Sequence, residues 1–107
     1  MLIALTSQNF KTVTKHAAKT RRFLVFKVDE KGQFSEVNRL DLPKDMSLHE
    51  VSRDVDHPIY LMDALIVGSC GENFKNRMAS FNVDVHKTDL ELPEDAIREY
   101  LQLKEAS

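Results

Sequence analysis

Short apolar runs separated by polar segments recur along the chain and predict a set of β-strands. Residues 2–5 (LIAL) end at the polar segment TSQN, and residues 64–67 (ALIV) end at a glycine-containing turn. Runs of this kind, without polar alternation, are typical of strands buried on both faces of a sheet. Residues 83–85 (VDV) predict a further short strand. We therefore expect two central strands and a third that follows them in the chain.

A second pair of runs has the pattern of a β-hairpin. Residues 23–28 are largely apolar, and residues 29–33 (DEKGQ) supply a turn. Residues 34–42 then return with approximate alternation, their apolar positions being Phe34, Val37, Leu40 and Leu42. This pattern predicts two antiparallel strands joined by a short loop.

Three other segments have the spacing of helices. Residues 47–50 (SLHE) have the S-x-x-E spacing of a capping box and predict a short helix that Pro58 ends. Apolar residues at i, i+4 and i+7 predict a helix over residues 72–81, and Pro93 followed by two acidic residues predicts the start of a last helix. The buried faces of these last two helices are formed by Phe74, Met78 and Phe81, and by Ile97, Tyr100 and Leu101.

Chain order predicts how these elements assemble. Residues 64–86 have the pattern of a strand-helix-strand unit, and such units join parallel strands by a right-handed crossover. The buried strand at 2–5 then lies beside the strand at 64–67, with the hairpin outside it. We therefore predict an α/β domain with a five-stranded mixed sheet of order 3-2-1-4-5, in which strand two is antiparallel.

The same topology predicts a crevice at one edge of the sheet. In open α/β sheets, ligands bind beyond the carboxyl ends of the central strands, where the connections leave in opposite directions. The segments expected there are residues 6–19, 68–73 and 86–89. His16 and Cys70 can therefore be neighbours although they are far apart in the sequence.

Length and composition exclude several classes of protein. The chain has 107 residues, a formal net charge of -2 and one cysteine. This length fits a single domain over residues 1–107, and the charge argues against a surface built to bind nucleic acid. One cysteine cannot form an internal disulfide, no signal-peptide pattern follows Met1, and no run approaches the roughly 18 apolar residues of a membrane span. We expect a cytoplasmic protein without a membrane partner.

The only cysteine lies in the segment IVGSCGENF at residues 66–74. Gly68 and Gly71 flank it and permit positive φ or close backbone approach, and the amides of the following helix are expected to lower the pKa of the thiol and to favour anions. Thiolate and neutral imidazole suit iron-sulfur, zinc or copper centres, so Cys70 and His16 are a candidate ligand pair. A small buried packing residue is the alternative for a lone cysteine.

A basic stretch at residues 15–27 adds candidate anion contacts at Lys15, Lys19 and Arg21. The alternative is a solvated face beside a strand. C-x-x-C and H-x-x-x-H spacings are absent, and no set of nucleophile, base and orienting group can be assigned. We therefore predict no catalytic residues.

Four stretches of the sequence resemble the dinitrogenase iron-molybdenum cofactor-binding proteins, the NifX and NafY-like group. They are VTKHAAKTRRFLVFKV at 13–28, DHPIYLMDALIVGSCGENFKNRM at 56–78, FNVDVHKT at 81–88 and AIREYL at 96–101. The resemblance implies a ribonuclease H-like three-layer α/β/α domain. It also implies a non-catalytic carrier of the iron-molybdenum cofactor or a precursor iron-sulfur cluster, with nitrogenase assembly proteins as partners.

The resemblance also indicates where the cluster would bind. The family histidine that opens an H-A-G-K-like or H-F-G-like motif corresponds to His16, although Ala18 stands where glycine is common. Cys70 is added on chemical grounds as a second metal ligand. The surrounding cofactor-binding residues are then Lys15, Lys19, Arg21, Gly68 and Gly71. The alternative function is a regulatory or protein-interaction module of the same fold that binds an anionic small molecule or a protein.

Overall fold

Five strands form one mixed sheet in the computed structural model, which describes residues 1–47 and 56–106. They are β1 (Leu2–Thr6), β2 (Arg22–Val28), β3 (Phe34–Asp41), β4 (Ala64–Val67) and β5 (Asp84–Lys87). The α-helices in these ranges are α1 (Glu72–Ala79) and α2 (Pro93–Ala106). Short 3-10 segments lie at Ala17–Lys19, Lys44–Met46 and Pro58–Leu61. The sheet order is β3-β2-β1-β4-β5, so the predicted order is confirmed.

The two strands predicted to be central are adjacent and parallel. Ile3 of β1 lies opposite Ala64 of β4, and β4 is in turn parallel to β5. On its other side β1 is antiparallel to β2, with Thr6 opposite Phe23. Because β1, β4 and β5 run in the same direction, their carboxyl ends share one edge of the sheet.

The edge strand β3 contains a bulge that the sequence pattern did not predict. Val25 pairs with Asn38 and Phe26 pairs with Glu36, so Val37 is an extra residue without a partner in β2. Val37 is 51% exposed. The expected alternation of residues 34–42 therefore fails at Val37, because a bulge moves the following side chains to the other face of the sheet.

Apolar layers cover both faces of the sheet, as the three-layer arrangement requires. On the α1 face the buried residues include Ala4, Phe23, Val25, Leu65, Val67, Phe74 and Met78. On the α2 face they include Ile3, Leu5, Leu24, Ile66, Ala96, Ile97 and Tyr100. Successive residues of β1 and β4 point alternately into the two layers, which is why these strands are apolar without alternation.

The chain between α1 and β5 differs from the prediction. The helix ends before Phe81, whose ring instead stacks on Tyr60 with centroids 3.8 Å apart. Asn82 then adopts a left-handed φ of 63°, and β5 covers Asp84–Lys87 rather than residues 83–85. A turn with a left-handed residue therefore separates the two elements, and asparagine is one of the few residues that tolerates this conformation.

The last helix begins at Pro93, as predicted, and buries Ile97 and Tyr100. A short helix was expected from the capping box at residues 47–50. Apart from Ser47 and the residues from 56 onwards, that segment lies outside the described residues. Among the residues that the structure describes, no helix is long and apolar enough to cross a bilayer.

The imidazole of His57 is buried, and its position before Pro58 in the sequence does not reveal this. It is 3% exposed, its Nε2 lies 2.8 Å from the Met46 carbonyl oxygen, and its Nδ1 accepts the Ile59 N–H at 3.2 Å. The second contact requires an unprotonated Nδ1, so the ring is neutral and carries its proton on Nε2. Burial lowers the pKa of His57, an effect larger than the opposing hydrogen bond to Met46.

We expect this buried imidazole to make stability depend on pH. Because the folded pKa lies below the unfolded value of about 6.5, the unfolded state binds more protons near and below that pH, and stability falls as the pH drops. The stability of His57→Gln does not fall for this reason, because glutamine does not titrate in this pH range. The difference in unfolding free energy between wild type and His57→Gln should therefore narrow from about pH 7.5 to about pH 5.5, measured by urea unfolding.

His16→Gln is the matched control, since the His16 side chain is exposed. Its difference from wild type should change little over the same pH interval. A difference for His57→Gln that stays constant with pH would contradict the assignment of a neutral buried ring.

Candidate functional site

The loop that follows β1 folds back onto the carboxyl ends of β1 and β4. Thr14 donates its N–H to the Thr6 carbonyl at 2.7 Å, and the Thr14 carbonyl accepts the Gly68 N–H at 3.1 Å. Further along, Ala17 donates its N–H to the Ser69 carbonyl at 3.3 Å. The end of this loop is therefore held by backbone hydrogen bonds between two strand ends.

The loop can approach this closely because residue 68 is glycine. At position 71 there is room for a side chain. A Cβ built on Gly68 would lie 2.8 Å from the Lys15 Cα and 2.9 Å from the Thr14 carbonyl oxygen, both of them backbone atoms. A Cβ on Gly71 would meet no atom within 4 Å, and its φ of -88° is open to any residue. Of the two glycines expected to permit close backbone approach, Gly68 does so and Gly71 does not.

The three segments expected at this edge of the sheet do meet there. They line a cleft of about 350 Å³ formed by Val13, Lys15, Gly68, Ser69, Thr88, Asp89, Leu90 and Glu91. Val13 donates its N–H to the Glu91 carbonyl at 2.9 Å, which ties the loop after β1 to the segment after β5. The predicted crevice is therefore present, although residues 90 and 91 extend its wall beyond the predicted 86–89.

The backbones that carry His16 and Cys70 are adjacent, but the two side chains have different surroundings. His16 is paired with Ser69 in an isolated parallel bridge, so it lies opposite the residue that precedes Cys70. Its side chain is exposed, and no hydrogen bond joins its ring to a residue in the described ranges. Cys70 is half-buried and packs against the apolar layer on the α1 face, as Ala17 also does.

The expected lowering of the Cys70 pKa is wrong. Burial raises the pKa of the Cys70 thiol, and the nearby Lys87 and Lys75 offset only part of this effect. The reason is that the thiol packs against apolar side chains, where desolvation disfavours the thiolate. Cys70 is thus a protonated thiol at neutral pH, and within residues 1–47 and 56–106 no three His, Cys, Asp or Glu side chains form a metal site.

The three candidate cations occupy different positions. Lys15 lines the cleft and Lys19 is exposed at the end of the 3-10 segment Ala17–Lys19. Arg21 is directed towards the hairpin, where its Nη1 donates to the Asp41 carboxylate at 2.7 Å and to the Leu42 carbonyl at 2.8 Å. Lys15 is therefore the candidate cation that the structure brings to the cleft.

Sequence reasoning named the segment after β5 but did not single out its most buried polar residue. Thr88 lines the cleft and is 5% exposed, whereas the Nε2 of His86 lies 2.7 Å from the carboxylate of Glu99 in α2. The signal available in the sequence was position, since Thr88 directly follows a strand that ends at the ligand-binding edge. Its burial comes from tertiary packing and was not visible in the local pattern.

Comparison with known families identifies the chain. A family model described as dinitrogenase iron-molybdenum cofactor matches residues 1–103. The chain belongs to this family. The match spans every strand described above, the loop after β1 and most of α2. No curated protein matches the sequence.

Solved structures show the same fold at low identity. PH0822 has a TM-score of 0.70 at 15% identity, covering 95% of this chain and 91% of that chain. TM1290 of Thermotoga, described as a candidate NifB protein of the DUF35 family, has a TM-score of 0.60 at 15% identity, covering 94% and 87%. The protein mj0327 of Methanocaldococcus jannaschii, described as a candidate dinitrogenase, has a TM-score of 0.64 at 9% identity, covering 97% and 90%. At these identities the TM-scores show a shared α/β fold.

Gly68 and Gly71 provide a direct test of how the site is built. We expect Gly68→Ala to lower the unfolding free energy by about 1–3 kcal/mol, because the new methyl group overlaps backbone that cannot move aside cheaply. Gly71→Ala is the matched control and should change stability by less than about 0.5 kcal/mol. Urea unfolding of both variants measures the difference. Equal stabilities would mean that the loop after β1 is not held against Gly68.

Proposed function

We propose that this chain is a non-catalytic carrier of an iron-molybdenum cofactor or a precursor iron-sulfur cluster. We further propose that it acts in the cytoplasm as a single domain over residues 1–107, with nitrogenase assembly proteins as its donors and acceptors. Membership of the dinitrogenase iron-molybdenum cofactor family supports the class of cargo. The cluster is the cargo of such a protein, so it enters and leaves with each cycle of transfer.

One observation carries the proposal: an exposed imidazole stands on a backbone that is fixed on both sides. His16 lies between Thr14 and Ala17. The backbones of these two residues are hydrogen-bonded to the carboxyl end of β1 and to the turn after β4. Its ring has no competing hydrogen bond within the described ranges. An exposed imidazole on a backbone held by hydrogen bonds can bind a metal without first breaking a protein contact.

The surrounding residues fit a soft anionic cargo in part. Imidazole at His16 and thiolate at Cys70 are both soft enough for iron-sulfur chemistry, and Lys15 adds a positive charge at the cleft. Binding through Cys70 requires loss of its proton, which the raised pKa of the half-buried thiol opposes. His16 is therefore the principal ligand in this proposal and Cys70 the secondary one.

Anaerobic titration with an iron-sulfur cluster and with the iron-molybdenum cofactor, followed by visible absorbance, tests the proposal. We expect His16→Ala to weaken binding by at least about tenfold, equivalent to about 1.4 kcal/mol, and Cys70→Ala to weaken it less. The double variant should lose less than the sum of the two, because both ligands share one metal centre. Lys31→Ala, in the exposed hairpin turn, is the surface control.

The outcomes separate the roles of the two side chains. If Cys70→Ala binds as wild type does while His16→Ala binds weakly, Cys70 is a packing residue. No binding by wild type at micromolar protein would reject the cluster proposal and favour the alternative module that binds an anionic small molecule or a protein.

The absence of catalysis is tested separately. We expect no turnover of phosphoester or acyl substrates above the level of His16→Ala, because no nucleophile with an adjacent base can be assigned in the described ranges. Chromogenic ester and phosphodiester substrates provide the assay. Turnover by wild type that His16→Ala abolishes would overturn the non-catalytic assignment.

A further inference from the structure

A second cavity lies next to the cleft and is bounded by the same two segments of the chain. It has a volume of about 340 Å³ and is lined by Phe10, Lys11, Leu24, Phe26, Glu36, Leu92, Pro93, Glu94 and Asp95. The neighbouring residues Val13 and Glu91 line the cleft, and the Val13 N–H donates to the Glu91 carbonyl at 2.9 Å. The two cavities therefore meet where this hydrogen bond joins the segments. We call the second cavity the apolar pocket.

The floor of the apolar pocket is part of the protein core. Leu24 and Phe26 of β2 are 2% and 6% exposed and pack in the layer on the α2 face. Leu92 lies beside this floor and is 57% exposed. An apolar side chain of a partner that entered the pocket would be removed from water and would also cover Leu92, and such exposed apolar surface beside a cavity is typical of interaction sites.

Phe10 faces this pocket although its backbone conformation is unfavourable. Its φ is 58°, which is rare for a bulky residue. The turn is held in part by Asn9, whose Oδ1 accepts the Lys11 N–H at 2.9 Å. The guanidinium groups of Arg22 and Arg39 lie 5.7 Å and 5.6 Å from the centre of the Phe10 ring. The loop thus keeps an aromatic ring at the pocket, and backbone strain of this kind is frequent where proteins bind ligands.

Acidic side chains outnumber basic ones around the pocket. Of the described residues that line it, Glu36, Glu94 and Asp95 are acidic and Lys11 is basic. Asp95 lies 3.2 Å from the guanidinium of Arg98 in an ion pair that is exposed on both sides. Exposed ion pairs contribute little free energy, so a cation of a partner can compete for these carboxylates.

The acidic surface continues from the pocket to the cleft. Residues 89–95 (DLELPED) contain four acidic and no basic side chains. Glu94 and Asp95 also complement the positive N-terminal end of α2, but Asp89 and Glu91 precede the helix. Asp89 and Glu91 are exposed and form no ion pair with any residue that the structure describes. This charge favours a partner that carries positive side chains.

We infer that the apolar pocket and residues 89–95 form a docking surface for a protein that presents an apolar side chain between lysine or arginine residues. The apolar side chain enters the pocket beside Leu92, and the flanking cations pair with the carboxylates. This inference deepens the proposed function and rests on it only in identifying the docked protein as a donor or acceptor of the cluster. A protein docked here lies directly beside the cleft.

NMR titration of the isotope-labelled, cluster-free protein with a short basic peptide tests the surface. The probe is a peptide with blocked ends and one phenylalanine between two pairs of lysines. One control peptide has glycine in place of phenylalanine, and the other has glutamate in place of lysine. We expect the probe to shift the amides of Lys11, Leu92, Glu94 and Asp95, and each control peptide to bind at least about tenfold more weakly. Added salt should weaken binding of the probe.

Two pairs of variants locate the contact. Leu92→Ser should weaken binding of the probe at least about fivefold, because apolar surface beside the pocket is lost. Leu103→Ser is the matched control, since Leu103 is 56% exposed but lies near the other end of α2. At low salt Glu94→Gln should weaken binding about twofold or more, whereas Glu30→Gln, in the exposed hairpin turn, should bind as wild type does.

Absence of these shifts at millimolar probe would overturn the inference, as would equal binding of the phenylalanine and glycine peptides or equal effects of Leu92→Ser and Leu103→Ser. Shifts of the same amides when the protein alone is concentrated would also overturn it, because they would assign the surface to a second copy of this chain. The titration contains no cluster. Its failure would therefore leave the carrier proposal standing, and failure of the carrier proposal would leave a positive titration standing.

Discussion

The candidate site depends on one close contact between backbones, that of Gly68 with the chain at Lys15. A Cβ at this position would lie 2.8 Å from the Lys15 Cα, so glycine is required for the loop after β1 to run beside the end of β4. Once there, the loop is held by main-chain hydrogen bonds at Thr14 and Ala17. The side chains of Lys15 and His16 are consequently left available for a ligand.

The two helical layers make different contributions to this edge of the sheet. Cys70 is half-buried against the α1 layer, which raises the pKa of its thiol and separates its surroundings from those of the exposed His16. On the other face, Glu99 of α2 holds the ring of His86 in β5, whose Nε2 lies 2.7 Å from the Glu99 carboxylate.

Side chains of both charge signs line the cleft. Lys15 lines it together with Asp89 and Glu91, while Arg21 is engaged by Asp41 at 2.7 Å on the hairpin side. An anionic cargo would gain from Lys15 only if it were bound on the side of the loop after β1. The charge distribution therefore favours the wall that carries Lys15 over the wall formed by residues 88–91.

The strand order follows from the sequence alone, because the apolar runs at 2–5 and 64–67 need cover on both faces and therefore occupy the centre of the sheet. The sequence also placed His16 and the Gly68 turn at the same edge, since the carboxyl ends of parallel strands meet there. The bulge at Val37, the burial of His57 and the half-burial of Cys70 come from tertiary packing. These features depend on contacts between residues distant in the chain, and on the direction in which packing turns each side chain, which no local pattern records.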